Sequence, residues 1–125
     1  MSRLVQVALR ATDLDRAAAF YAELLGAEPS GRFEPPGLLF FDLDGVRLLL
    51  DGNAPSSMLY LEVPDVLRAV DALRGRAEIV SEPHAIFTHE DDRLGPPGHE
   101  EWQAFVEDSE GNTVGLIGFV RPATG

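Results

Sequence analysis

Apolar and polar positions along the chain recur with two different periods, and the order of these periods predicts the secondary structure. Residues 4–11 have the mixed alternation of a strand, and residues 14–25 carry apolar side chains at helical spacing. Two apolar runs follow at 38–43 and 46–50, joined by an Asp-Gly pair that is typical of a tight hairpin because glycine accepts positive φ. A strand, a helix and a hairpin are therefore expected, with a turn or edge strand at 32–37.

Capping signals set the expected ends of the first helix. Thr12 and Asp15 have the spacing of a capping box, in which side-chain oxygens three residues apart accept hydrogen bonds from free backbone N–H groups. Gly26 stands where a left-handed C-terminal cap is expected. We expect one apolar stripe of the helix to pack on a sheet, formed by Leu14, Ala17, Ala18, Tyr21, Leu24 and Leu25.

The pattern restarts in the second half and forms an internal repeat. The predicted elements there are a strand at 58–63, a helix from Pro64 to Gly75, short strands at 77–81 and 85–88, a long acidic loop at 89–101 and a hairpin of 102–107 with 113–119. Residues 6–13 match residues 58–65 at an offset of 52. Both halves thus have the order strand, helix and three strands.

Chain length indicates that the two halves share one fold. The 125 residues suit a single domain over 1–125, with module one at 1–52 and module two at 57–120. A module of about 55 residues buries too little apolar surface to be stable alone. The two modules, or the modules of two chains, must therefore combine their sheets.

Charge and composition exclude several classes of function. The chain has 10 Lys and Arg against 21 Asp and Glu, a net charge of −11, which argues against nucleic acids and anionic membranes as partners. Because it has no cysteine, it cannot form disulfides or thiolate metal sites. No stretch approaches the ~18 apolar residues that span a bilayer. We expect a soluble cytoplasmic protein, compatible with a cationic or neutral small ligand.

Three segments in the right order carry a family resemblance. The first segment is Leu-Arg-Ala-Thr-Asp-Leu-Asp-Arg at 9–16, followed by Phe-Tyr at 20–21 and Leu-Leu-Gly at 24–26. The second is the Asp-Gly hairpin at 44–48. The third, at 104–112, is close to the pattern Phe-x-x-Asp-Pro-x-Gly-Asn. In these segments the chain resembles the vicinal oxygen chelate superfamily. That superfamily includes glyoxalase I, methylmalonyl-CoA epimerase, extradiol dioxygenases and the bleomycin-resistance proteins.

The resemblance implies an α+β fold of two βαβββ modules, whose eight strands form a U-shaped mixed sheet around a ligand cleft. It also implies a homodimer. In many members the cleft holds a divalent metal, with ligands from the first and fourth strands of each module. The corresponding positions here are Gln6, Leu49, Met58 and Gly115.

These four positions do not suit a divalent metal. Gln6 offers a carbonyl oxygen and Met58 a thioether, whereas the leucine and the glycine offer no donor. We therefore expect no cofactor and no divalent metal there. The alternative is a displaced site of His89, His99 and Glu101, although that segment is also typical of a solvated acidic loop or of a lid.

Strand alternation predicts which other side chains face the cleft. Arg10 there would bind a ligand carboxylate, as the matching arginine of glyoxalase relatives does, or pair with Glu62. Tyr60 and Glu62 are candidate catalytic groups for metal-free acid/base chemistry, and Trp102 is a stacking wall or a core aromatic. The predicted cleft residues are Gln6, Arg10, Phe41, Arg47, Leu49, Met58, Tyr60, Glu62, Trp102 and Gly115.

Three functions follow from this reading of the sequence. The first, which we favour, is a metal-free protein that binds an unidentified small molecule, as bleomycin-resistance proteins do. The second is a lyase, epimerase or dioxygenase-like enzyme with displaced metal ligands or a metal-free acid/base pair. The third is a structural or regulatory dimer whose cleft is filled by its own aromatic side chains.

Overall fold

A computed structural model describes residues 3–122 and divides them into two compact units. The first unit contains the residues up to Met58 together with Asp108–Asn112, and the second contains Leu59–Glu107 together with the residues from Thr113 onward. Each unit has one helix and a four-stranded mixed sheet. This confirms the α+β class and the two predicted βαβββ modules.

The first unit has the predicted elements in the predicted order. They are β1 (Gln6–Arg10), α1 (Leu14–Leu25), β2 (Gly31–Phe33), β3 (Leu38–Leu43) and β4 (Val46–Asp51). The sheet order is β1-β4-β3-β2, with β1 parallel to β4 and the other pairs antiparallel. The Asp-Gly pair makes the tight turn between β3 and β4, with φ of 49° at Asp44 and 89° at Gly45.

The second unit repeats this topology with longer strands. Its elements are β5 (Leu59–Glu62), α2 (Val66–Leu73), β6 (Ile79–Thr88), β7 (Glu100–Glu107) and β8 (Thr113–Val120), in the sheet order β5-β8-β7-β6. The prediction of two short strands before the long loop was wrong, because both belong to β6. Pro83 is tolerated within β6 because this strand lies at the sheet edge, and register shifts keep it paired with β7.

The core of the first unit lies between α1 and one face of its sheet. Leu39 and Phe41 of β3, Leu9 of β1, and Leu48 and Leu50 of β4 are fully buried there, as are Ala17 and Tyr21 of α1. Phe41 lies opposite Leu48 in the register, and its ring centroid is 6.2 Å from that of Tyr21. The prediction that Phe41 faces the cleft was therefore wrong, because its position in β3 turns the ring toward the helix.

The core of the second unit lies between α2 and its sheet in the same way. Val66, Val70 and Leu73 of α2 are buried, as are the alternate positions of β7 and β8. Trp102 lies opposite Gly118, which closely approaches Val66, and it lines a cavity of about 90 Å³ beside that valine. Trp102 is thus on the helix side of its sheet and not on the face predicted for a ligand.

Both helices begin at an aspartate. Asp13 accepts a hydrogen bond from the Arg16 backbone N–H at 3.0 Å, and Asp65 accepts one from the Arg68 N–H at 3.2 Å. The predicted Thr12 capping box was wrong, because the Thr12 backbone and hydroxyl donate to Glu110 instead. Gly26 ends α1 in the left-handed conformation, as predicted. Among residues 3–122, no helix combines the length and apolar character needed to cross a membrane.

A polar network anchors the turn 108–112 to the first unit. Asp108 accepts hydrogen bonds from the Tyr21 hydroxyl at 2.6 Å and from the Asn112 backbone N–H at 2.7 Å. The Asn112 amide nitrogen donates to the Arg10 carbonyl oxygen and to Asp108, both at 2.8 Å. The Asp and Asn of the family-like motif are therefore structural residues, whose hydrogen bonds tie the turn to β1 and α1.

Candidate functional site

Each sheet turns one face away from its own helix, and these two faces carry most of the predicted site residues. Side chains of directly opposed residues point to the same side of a sheet. The first open face therefore consists of Gln6, Ala8, Arg10, Gly31, Phe33, Leu38, Phe40, Asp42, Arg47, Leu49 and Asp51. The second open face consists of Tyr60, Glu62, Phe87, Glu101, Gln103, Phe105, Gly115, Ile117 and Phe119.

Arg47 is the best-defined polar group of the first open face. Its Nε donates to the Gln6 side-chain oxygen at 3.0 Å, and its Cζ lies 6.0 Å from the centre of the Phe40 ring. Phe33 stands edge-on to Phe40 with ring centres 5.9 Å apart. Together with Ser30 and Gly31, Arg47 and the two phenylalanines line a cavity of about 300 Å³. The face thus presents a positioned guanidinium beside two aromatic rings.

The charge of Arg47 is not neutralised by a neighbouring carboxylate. Asp42 is its partner in the strand register, but the Asp42 carboxylate accepts a hydrogen bond from the Gly45 N–H at 3.2 Å. Within residues 3–122, no ion pair to Arg47 is found, whereas Arg16, Arg32 and Arg74 are all ion-paired. The guanidinium is exposed and remains available to an anion.

Arg10 lies on the same face as Arg47 but at the far end of β1. It pairs with Asp51 of β4 in the register, and its side chain is exposed. Ala8 and Leu49 lie between the two arginines on this face. Each end of the face therefore carries an arginine with an aspartate opposite it, Asp42 at Arg47 and Asp51 at Arg10, and the middle of the face is apolar.

The second open face contains a buried hydrogen-bonded chain of three side chains. His89 Nε2 lies 2.8 Å from Glu101 Oε1, and Gln103 Nε2 donates to Glu101 Oε2 at 2.7 Å. His89 is 3% exposed and Glu101 is 8% exposed. The Phe87 and Phe119 rings lie 4.3 Å and 5.6 Å from the His89 ring. This places an ionisable pair in an aromatic environment.

The loop 89–99 folds back over this pair. Its ends are joined by hydrogen bonds from the His89 N–H to the His99 carbonyl oxygen at 2.9 Å and from the Gly98 N–H to the His89 carbonyl oxygen at 2.8 Å. A Cβ at Gly95 would come within 2.8 Å of the His89 ring and 2.9 Å of Phe119. Beside the pair lies a cavity of about 570 Å³, lined by Phe87, Thr88, His89, Glu90, Asp91, Arg93 and Leu94.

The two predicted catalytic candidates lie on the second open face but do not form a pair with each other. Tyr60 is half exposed, and its ring contacts Phe105 with centroids 5.7 Å apart. Glu62 is exposed at the end of β5, opposite Ile117. Neither side chain has a hydrogen bond or ion pair within the described residues that would mark it as a buried acid or base.

The positions that the resemblance assigns to metal ligands do not fit a divalent metal. The Gln6 oxygen accepts from Arg47, a cation, and Leu49 has no donor atom. Met58 is 48% exposed, and a Cβ at Gly115 would lie 2.7 Å from the Tyr60 ring. The alternative metal site of His89, His99 and Glu101 is not assembled either, since the His99 ring is hydrogen-bonded to the Pro97 carbonyl oxygen at 3.1 Å. In the part of the chain that the structure describes, no group of three His, Asp or Glu side chains is arranged to hold a metal ion.

The sequence reasoning missed the phenylalanines of both faces and the hydrogen bonds that link His89, Glu101 and Gln103. Phe40 could have been found, because it alternates with Phe41 in β3 and must occupy the opposite face. The hydrogen bond between His89 and Glu101 had no such signal. It depends on the β6–β7 register, which β-bulges shift three times.

Comparisons with solved structures agree with the observed fold. Lactoylglutathione lyase from Agrobacterium tumefaciens is 22% identical, with a TM-score of 0.68 over 94% of each chain. A glyoxalase-related enzyme from Fulvimarina pelagi is 20% identical, with a TM-score of 0.69 over 94% of this chain and 88% of that one. A glyoxalase/bleomycin resistance protein/dioxygenase superfamily member from Sphaerobacter thermophilus is 16% identical, with a TM-score of 0.69 over 94% and 98% of the two chains.

These low identities show a shared fold and do not transfer an activity. A comparison with proteins of curated function found no significant match. A sequence model of one superfamily, however, matches residues 3–116, nearly the whole chain. Both βαβββ modules lie within or overlap that range. The chain therefore belongs to the Glyoxalase/Bleomycin resistance protein/Dioxygenase superfamily.

Proposed function

We propose that this protein binds a small molecule without the metal that many members of its superfamily use. We further propose that the first open face receives an aromatic or otherwise planar anion. The observation that carries the proposal is Arg47, an exposed guanidinium without a carboxylate partner in a chain of net charge −11. In so acidic a chain, a cation on an aromatic face that has no ion pair favours an anionic ligand over a cationic one.

The neighbours of Arg47 support this ligand class. Gln6 holds Nε at 3.0 Å, which leaves the two terminal nitrogens free to donate to a carboxylate or sulfonate in the forked geometry that guanidinium favours. Phe33 and Phe40 supply apolar walls for a flat ring. The cavity volume of about 300 Å³ is at the lower end of the range for ligand pockets.

The same contacts explain how binding can proceed without a metal. In this arrangement Gln6 is a positioning residue for Arg47, because its oxygen accepts from the guanidinium. The positive charge that a metal would supply to an anionic ligand is then supplied by Arg47. We expect Arg10 to add long-range attraction from the other end of the face, since both arginines are exposed there.

Two dyes with the same ring system test this proposal. We expect anilinonaphthalenesulfonate to bind with a rise in fluorescence and the uncharged N-phenylnaphthylamine to bind more weakly. Arg47→Gln should weaken binding of the sulfonate about tenfold or more, because a charge-assisted hydrogen bond is worth roughly 1.5–3 kcal/mol. Binding of the neutral dye should change little.

Arg68→Gln is the matched control, because Arg68 is an exposed arginine on α2 and the substitution removes the same charge. Equal losses of sulfonate binding in Arg47→Gln and Arg68→Gln would mean that the affinity depends on the net charge of the protein and not on the position of Arg47. Equal binding of the two dyes by the unmodified protein would also contradict the proposal.

A further inference from the structure

We infer that His89 in the second unit is a general base, which accepts a proton from a small carbon or oxygen acid bound in the cavity beside it. This goes beyond the proposed binding function and does not depend on the first open face. The inference uses the buried chain of His89, Glu101 and Gln103 and the cavity of about 570 Å³ that His89 lines.

The hydrogen-bonded chain determines which nitrogen of His89 can act as a base. A carboxylate only accepts hydrogen bonds, so the nitrogen facing Glu101 at 2.8 Å, Nε2, carries a proton. In the neutral ring Nδ1 then holds the lone pair, and within the described residues no hydrogen bond to Nδ1 is found. Gln103 occupies the second oxygen of Glu101 and keeps the carboxylate in place.

The surroundings of His89 are suited to proton transfer. Phe87, Phe119 and Gly95 pack around the ring and leave it 3% exposed, so that little water competes for its lone pair. A side chain at Gly95 would displace the ring, which explains why the loop has a glycine at this point.

The charged groups that face His89 come from two elements. Glu101 belongs to β7, while Glu90, Asp91 and Arg93 belong to the loop and line the same cavity. Asp91 is paired with Arg93 at 2.9 Å, and this contact lowers the pKa of the Asp91 carboxyl. The residues nearest on β6 and β8, Phe87 and Phe119, are uncharged. Carboxylates therefore outnumber cationic side chains around the ring.

The chemistry is a single proton transfer. The bond from carbon or oxygen to hydrogen in the ligand breaks, the proton goes to Nδ1, and the electron pair stays on the ligand. Glu101 stabilises the resulting imidazolium through Nε2, as the carboxylate does in a carboxylate–histidine pair of a catalytic triad. Glu101 is therefore a positioning residue. The cavity volume falls within the range that holds small organic ligands.

Nitrobenzisoxazole is a probe for such a base, because it reacts by proton removal alone. The base takes the ring C–H proton, the C=N bond becomes a nitrile, the N–O bond breaks, and a coloured nitrophenolate forms. We expect the protein to accelerate this reaction about 100-fold over buffer, the lower end of general-base effects. His89→Gln should abolish most of the acceleration. His84→Gln, which changes an exposed histidine on β6, should not.

A second variant separates a chemical role from a structural one. Glu101→Gln removes the charge that stabilises the imidazolium, so the inflection of the pH–rate profile should move to lower pH and the rate should fall about tenfold. A merely structural role would lower the rate without moving the inflection. The inference is overturned if the unmodified protein gives no acceleration, or if His89→Gln retains it.

NMR of the ring nitrogens of the unmodified protein shows which nitrogen of His89 carries the proton, and it does not depend on whether a variant folds. We expect the proton of neutral His89 on Nε2 and the lone pair on Nδ1. A spectrum with the proton on Nδ1 would mean that the basic nitrogen is the one in contact with Glu101 and that Nδ1 cannot accept a proton, and it would overturn the inference.

Discussion

Tyr21 illustrates at the residue scale how one buried hydroxyl connects distant parts of the chain. The ring is fully buried under Phe41, and the hydroxyl donates to Asp108 at 2.6 Å across a sequence separation of 87 residues. Burial raises the pKa of this phenol far above its usual range, and the charge of Asp108 raises it further. The hydroxyl therefore stays protonated and donates to Asp108 at all physiological pH values.

Tyr21→Phe should destabilise the first unit by about 1.5–3 kcal/mol, because the buried Asp108 carboxylate loses one charge-assisted donor. Urea unfolding of the variant and the unmodified protein measures this difference. Tyr60→Phe is the control, since Tyr60 is half exposed, and its unfolding free energy should change by less than about 0.5 kcal/mol. Equal effects of the two substitutions would contradict the role given to the Tyr21 hydroxyl.

At the scale of elements, the N-terminus of α1 is capped from the other end of the chain. Glu110 accepts hydrogen bonds from the backbone N–H groups of Thr12 at 2.9 Å and Asp13 at 3.1 Å, and from Arg16 Nε at 2.7 Å. Burial alone would raise the pKa of Glu110, but the hydrogen bonds from Arg16, Asp13, Ser109 and Thr12 outweigh it and lower the pKa to about 2. The carboxylate thus stabilises the helix in its charged form.

The lowered pKa of Glu110 predicts how the free energy of unfolding depends on pH. A carboxyl whose pKa is lower in the folded protein adds stability above its unfolded value of 4.5 and loses it as the pH falls toward the folded value of about 2. Its contribution at neutral pH is on the order of 3 kcal/mol. Glu110→Gln should therefore lower the unfolding free energy at pH 7 and flatten its decline between pH 4.5 and pH 2.

Chemical denaturation across that pH range measures both effects. Glu82→Gln serves as the control, because Glu82 pairs with Arg74 on the surface, where ion pairs contribute little to stability. An unchanged pH dependence in Glu110→Gln would contradict the capping role of Glu110.

At the scale of the whole molecule, the net charge does not show which charged side chains lie at the candidate sites. Among the described residues, the first open face carries Arg10 and Arg47 together with Asp42 and Asp51, and the second carries Glu62 and Glu101, of which Glu101 is hydrogen-bonded to His89 and Gln103. The net charge of −11 is thus a poor guide to the ligand. The homodimer and the cytoplasmic location remain predictions from the sequence.

Because the four metal positions lack suitable donors, we expect ligand binding and stability to be independent of divalent metal. Dialysis against EDTA should leave both the melting temperature and the affinity for anilinonaphthalenesulfonate unchanged. Addition of Zn²⁺ or Ni²⁺ should not raise the melting temperature, since a metal that binds the folded state would do so. A stoichiometric metal in protein purified without a chelator would contradict this expectation.

The fold was far more predictable from the sequence than the site. Both helices, the tight turn at Asp44 and the cap at Gly26 follow from local periodicity and from residues that accept positive φ. The faces of Phe41 and Trp102 were predicted wrongly: Phe40 and Phe41 are adjacent aromatic residues, so residue type does not show which of them faces the helix, and Trp102 was assigned to the face that its polar neighbours Glu101 and Gln103 occupy. In such strands a shift of one residue reverses the face, and only the register decides.

By itself, the sequence determined most of the elements, their repeat and the lack of suitable donors at the metal positions that the resemblance implies, because these depend on residue type and short-range spacing. Only the tertiary structure decided that Glu110 caps α1, that Arg47 lies beside Phe40, and that His89 meets Glu101. Each of these contacts joins side chains from different elements. Their geometry is set by strand register and loop closure, which local sequence patterns do not specify.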